Sequence, residues 1–144
     1  MRCEIRYISR TGNTKKLALA IGQAVKAPVK TVEVPLEGPL DLLFLGGSVY
    51  AADIDDSLKK FIANLKPGQV KKAAVFSTAA VLSSAYPKIE KRLEAAGVKV
   101  SEKEFHCPGS FLFLHRGRPN RQDLQNAAAF AKNVVLLESK GLRE

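Results

Sequence analysis

Ser9, Arg10, Thr11, Gly12, Asn13 and Thr14 place three hydroxyls, an amide and a glycine in one short bend. An alternating segment, CEIRYI, leads into it, and a helical one, KKLALAIGQAVK, leads out. The first amides of a helix have no internal partner and point outward in a positive local field. A bend of this composition at that place is a cradle for phosphate. Ser9, Thr11 and Thr14 add hydroxyl donors, Asn13 adds an amide donor, and Gly12 permits close approach to the backbone. The plainer alternative is a helix N-cap at Asn13 or Thr11 with ordinary turn chemistry. No Walker lysine follows and no G-x-G-x-x-G is present, so nucleoside triphosphate and dinucleotide sites fit poorly.

The elements around the bend follow from periodicity. Residues 3–8 alternate as a strand. Leu17, Ala18, Ile21 and Val25 recur at helical spacing, and Pro28 stops that helix. Val29–Val34 reads as a short strand. The apolar runs LLFLGG at 42–47 and AAVFS at 73–77 read as strands buried on both faces. Asp55 or Asp56 is the expected cap of a helix carrying Leu58, Phe61, Ile62 and Leu65. Residues 84–96 form an amphipathic helix. Val98–Phe105 alternates as an edge strand, and Asn120, with Asp123 three residues on, starts the last helix. Five strands interleaved with helices predict an α/β doubly wound parallel sheet in a single domain over residues 1–144. Ligands of such sheets bind beyond the C-terminal strand ends, where loops 9–14, 47–56 and 77–84 fall.

The chain of 144 residues carries a net charge of +9, spread over both halves without a basic block. Nucleic-acid binding asks for a clustered patch with aromatics, so acidic partners and anionic ligands are expected instead. No apolar run is long enough for a membrane span, and MRCEIRYIS does not read as a signal peptide. The expectation is a cytoplasmic protein in which Cys3 and Cys107 are small core thiols, not a disulfide. No metal site is expected.

SRTGNT closely resembles the phosphate loop of flavodoxins. Fold order, length and loop position agree with that family. GGSVYAADIDDSLKKFI, from Gly46 to Ile62, is similar to its second flavin loop. FSTAAVLSSAYPKIEKRLEAAGVKV is similar to the segment around its third. The resemblance implies a flavodoxin-like sheet of strand order 2-1-3-4-5 that binds FMN. It implies that Ser9 through Thr14 hold the phosphate, and that Ser48, Val49, Tyr50 and Ala51 line one side of the flavin ring, with Tyr50 stacked on it. Thr78, Ala79 and Ala80 then offer backbone groups to the polar edge of the ring. Tyr86 is expected to pack, and His106 and His115 to be surface or structural residues. No catalytic side chain is required.

The sequence departs from that pattern in three ways. Flavodoxins are usually acidic, whereas this chain is basic. Loop 77–84 lacks an aromatic to sandwich the ring. Only PLEGPLD, residues 35–41, joins the second and third strands, where a parallel crossover usually carries a helix. The first strand shows a polar face, Arg2, Glu4 and Arg6, which the missing helix would have covered. That face is expected to be solvated or to meet a second copy in a homodimer. The expected function is an electron carrier serving redox partner proteins or a small-molecule acceptor. An FMN-dependent oxidoreductase acting on a quinone or porphyrinogen-type substrate is the alternative. An interaction module that has lost FMN is a third reading.

Overall fold

The computed structural model describes residues 1–50, 53–79, 84–110 and 116–143. The elements run β1 (Cys3–Tyr7), α1 (Asn13–Val25), β2 (Val29–Thr31), β3 (Leu40–Tyr50), β4 (Asp53–Ile54), α2 (Asp56–Ala63), β5 (Val70–Ala79), α3 (Tyr86–Ala95), β6 (Lys99–Pro108) and α4 (Arg121–Arg143). Five strands pair in parallel in the order β2-β1-β3-β5-β6. This is the order expected from the sequence. The two residues of β4 add a short antiparallel pairing to the end of β3, Val49 opposite Ile54. Two residues carry too little pattern to be read as a strand. Among the described residues no helix is long and apolar enough to cross a membrane.

Strand alternation sends side chains to two cores. Ile5, Leu42, Phe44, Ala74 and Phe76 pack on Leu17, Ala18 and Ile21 of α1 and on Ala127, Ala131 and Val134 of α4. Leu43, Leu45, Ala73 and Val75 point the other way, toward Leu58 and Ile62 of α2 and Ile89 and Leu93 of α3. With helices on both faces, the middle of β3, residues 42–47, and of β5, residues 73–76, is apolar on both sides. Cys3 and Cys107 are free thiols, as expected, and burial pushes both up to about 12.

β1 breaks the rule of two apolar faces, and the structure corrects the expected reason. No helix forms between β2 and β3, yet the polar face is not solvated. Arg6 is only 1% exposed and Glu4 only 7%. Residues 32–36 fold back over them, and Val32 and Leu36 join the core beneath α2. The Arg6 guanidinium binds Glu4 Oε1 at 2.9 Å, donates to the carbonyls of Val34 and Pro35, and lies 6.0 Å from the Phe61 ring centroid. Arg2, at the exposed end of the strand, donates to the Glu37 carbonyl at 2.9 Å. A groove of about 430 Å³ between this linker and α2 is lined by Val32, Pro35, Leu36, Phe61 and Leu65. It sits away from the strand ends that carry the loops of interest.

Candidate functional site

The bend after β1 ends in Gly12, whose φ of 90° is left-handed and whose Cβ position has nothing within 4 Å. Gly12 is the N-cap of α1, and no side chain caps the helix. The first intrahelical bond runs from Lys16 N to Gly12 O at 3.2 Å. The amides of Asn13, Thr14 and Lys15 therefore precede the ladder and have no intrahelical acceptor. The capping alternative, with Asn13 or Thr11 as cap, is not what the chain does. α2 and α4 are capped by side chains, whereas α3 starts from Ala85 without a side-chain cap. Asp55 accepts from Ser57 N at α2, and Asn120 and Asp123 cap α4 reciprocally at 2.8 and 2.9 Å. At α1 a glycine with open space stands where a capping oxygen would sit.

Inside the bend, Ser9 Oγ accepts from Gly12 N at 3.0 Å, which leaves its own O–H to donate outward. Thr11 is exposed. Asn13 is buried, and its amide donates to the Ser110 carbonyl at 2.9 Å. Arg10 bridges to Asp55 at 2.9 Å and so ties the bend to the loop before α2. Burial works to raise the Asp55 carboxyl, but the Ser57 amide and the Arg10 guanidinium outweigh it and hold it below its usual range.

Thr14, Ser48 and Thr78 form the centre. Their hydroxyl oxygens lie 3.0, 2.9 and 2.6 Å apart in the three pairs. The residues are 1%, 6% and 3% exposed. Each comes from a different loop end: the start of α1, the end of β3, the end of β5. Three hydroxyls have three hydrogens, and three contacts consume all of them. While the ring is closed, none of the three can donate to a phosphate. The sequence reading gave Thr14 to the phosphate and Ser48 and Thr78 to the flavin ring. The structure brings the three together and turns their hydroxyls on one another.

Val49 and Ala79 are half-buried at the adjacent strand ends. Ala51, Ala80 and the Tyr50 side chain lie outside the described residues, as does His115. His106 is exposed and paired with Glu104 at 2.7 Å. Tyr86 packs at the start of α3, where its hydroxyl donates to the Glu90 carboxylate and lies 3.1 Å from the Ser101 carbonyl. Sequence reasoning missed a fourth loop. Ser110 N donates to the Arg118 carbonyl at 2.8 Å, and Ser110 O accepts from Asn13, so the β6–α4 connection closes the rim. The signal was available, because this loop also follows a C-terminal strand end.

The family model of the flavodoxin domain matches residues 4–112. The chain belongs to the flavodoxin family. An uncharacterized protein of Methanocaldococcus jannaschii is 27% identical over 136 residues, covering 85% of this chain and 90% of that one. A flavodoxin from the domain Archaea superposes with a TM-score of 0.77 at 18% identity, over 96% of this chain and 99% of the other. Flavodoxin 1 from Bacillus cereus gives 0.68 at 20% identity, over 94% and 97%. At such identities the structural likeness speaks for the fold alone. Rubredoxin oxygen:oxidoreductase from Desulfovibrio gigas gives 0.74 at 12% identity, and this chain spans 37% of that protein.

Proposed function

We propose that this flavodoxin-family protein binds FMN and carries electrons. The observation that carries the reading is the uncapped start of α1: three amides without an intrahelical partner, and a left-handed glycine facing open space. In this reading the amides of residues 13–15 and the hydroxyls of Ser9 and Thr11 hold the phosphate. Arg10, through Asp55, fixes the bend. The Thr14–Ser48–Thr78 ring sets the spacing of the loops from beneath. Ser48, Val49, Tyr50 and Ala51 flank one side of the flavin, and the backbone of Thr78, Ala79 and Ala80 meets its polar edge. When bound, FMN supplies one- and two-electron chemistry. Of the carboxyls described at the rim, Asp55 is held ionised by the Ser57 amide and the Arg10 guanidinium, and Asp123 by Arg118. Neither is poised to deliver a proton to a substrate, which favours a carrier over an oxidoreductase with its own acid.

The test is a fluorescence titration of the flavin-free protein with FMN and with riboflavin. Each charge-assisted bond to phosphate is worth about 1.5–3 kcal/mol. FMN is expected to bind at least about 100-fold more tightly than riboflavin. Equal affinities, or no binding of either, overturn the reading.

A further inference from the structure

The rim of the site is basic where two helices start side by side. α1 carries Lys15 and Lys16 in its first turn and no acidic residue there. α2 and α4, by contrast, carry Asp56 and Asp123 in theirs. Lysines at a helix start work against the helix's own field, so their placement is not explained by the stability of α1. α4 starts at Arg121, with Arg116 and Arg118 just before it. The two starts are neighbours: Asn13 binds the Ser110 carbonyl at 2.9 Å, and Ser110 N binds the Arg118 carbonyl at 2.8 Å. Lys15, Lys16, Arg116 and Arg121 are exposed. The acid of this edge is Asp123, which is 5% exposed and already engaged by Arg118 at 2.6 and 2.7 Å. Among the described residues the ion pairs leave Lys15, Lys16 and Arg121 without a carboxylate.

We propose that this edge, Lys15, Lys16 and Arg121 with Arg118 behind them, docks an electron-exchange protein whose contact surface is acidic. The proposal rests on the reading of the site as an FMN site. Electron exchange falls steeply with distance, so the partner has to come to the mouth of the site, and the mouth is where this charge lies. A nucleic acid follows a stripe of cations along its backbone, whereas this patch is confined to two neighbouring helix starts beside the bend before α1. A basic rim speeds encounter with an acidic partner and disfavours a basic one.

The probes are a rubredoxin, a small acidic one-iron protein, and cytochrome c, a basic haem protein of similar size. Each is titrated into the protein, flavin-free and FMN-loaded, at 20 and 300 mM salt. In a second arm the FMN-loaded protein is reduced with dithionite and mixed with ferric rubredoxin. Each rubredoxin takes one electron and becomes ferrous, two per flavin, and the flavin's protons pass to solvent. Rubredoxin is expected to bind about tenfold less tightly at the higher salt, and cytochrome c not to bind. Lys15→Glu/Lys16→Glu/Arg121→Glu is expected to weaken rubredoxin binding and slow transfer about tenfold or more. Lys66→Glu/Lys99→Glu/Lys140→Glu, with the same change in net charge at the far end of the sheet, is expected to change either by less than about twofold. If the first triple variant does not fold, the glutamine versions at the same three positions replace it. Equal losses in the two variants, preference for cytochrome c, or tighter rim-dependent binding of a 20-nucleotide single-stranded DNA each overturn the proposal. Rim-dependent rubredoxin binding by a chain that takes up no FMN supports the surface and overturns the flavin reading alone.

Discussion

Replacing Ser48 by alanine removes two of the three contacts in the buried hydroxyl ring, those of 3.0 and 2.6 Å, and leaves Thr14 and Thr78 bonded to each other. Each buried hydrogen bond contributes a net of about 0.5–1.5 kcal/mol, so the variant should lose about 1–3 kcal/mol. Unfolding entropy is about 2.1 cal/mol/K per residue. For 144 residues that is about 0.3 kcal/mol/K, and the melting temperature should fall by about 3–10 °C. Thr78→Val, which keeps the shape, also removes two contacts and should cost a similar amount. The double variant removes all three. One contact belongs to both single variants, so the double should be less destabilised than the sum by one hydrogen bond, about 0.5–1.5 kcal/mol. Thermal and urea denaturation of the flavin-free proteins measure this cycle. Thr11→Ala, at an exposed position of the same bend, serves as the control and should stay within about 0.5 kcal/mol. Additive effects of Ser48→Ala and Thr78→Val would refute the ring, because independent hydroxyls share no bond.

Thr11→Ala should nonetheless weaken FMN about 10-fold or more while leaving riboflavin affinity unchanged, as read by flavin fluorescence. Gly12→Ala places a Cβ on a residue at φ 90°. It should lower the melting temperature by a few degrees and weaken FMN, but not through a clash, since the space is open; binding at wild-type strength would show that the bend is not the cradle. Asp123 is held below the usual carboxylate range, first by the Arg118 hydrogen bonds. A depressed folded-state value means that its contribution is present above the unfolded value, near pH 4, and fades as the pH falls through the folded one. Asp123→Asn should therefore destabilise the protein at pH 7 and flatten its loss of stability in acid, as read by urea midpoints from pH 2 to 7.

The sheet was legible because its evidence is repeated along the chain. LLFLG and AAVFS are apolar on both faces, and the helices between them keep a clean helical spacing. The bend between β1 and α1 was legible because its residue types and its place after a strand agree. The hydroxyl ring was not. It joins residues 34 and 64 positions apart, and each of its hydroxyls has a plausible local use in its own loop. Only the register of β3 against β5, which sets Ser48 opposite Thr78, and the entry angle of α1 bring them together. A serine that binds a ligand and a serine that binds two threonines look alike in a sequence.

The polar face of β1 shows how far a local oddity can be reasoned through once the partner is known. A linker without a helix leaves its carbonyls unbonded, and the protein covers Glu4 and Arg6 with that linker. The bonds that replace a ladder here are partly buried at residues 34, 35 and 36 and exposed at 37. Arg6 supplies the Val34 and Pro35 carbonyls, Gln69 the Leu36 carbonyl at 3.3 Å, and Arg2 the Glu37 carbonyl. Four consecutive carbonyls are thus held by side chains in place of an amide ladder. Arg6 lies in β1 and Arg2 just before it, because β1 runs beneath the linker. Arg6→Leu alone strands the Glu4 carboxylate, and breaking a buried pair in this way costs about 3–5 kcal/mol. For an isolated ion pair, the double change Glu4→Leu/Arg6→Leu should restore stability or improve on it. Here it should not, because the two linker carbonyls also lose their partly buried bonds to Arg6, a net of about 0.5–1.5 kcal/mol each. Urea denaturation of the two variants separates the cases: a double variant at least as stable as wild type would mean that the linker carbonyls do not depend on Arg6, and that the pair alone explains the polar face.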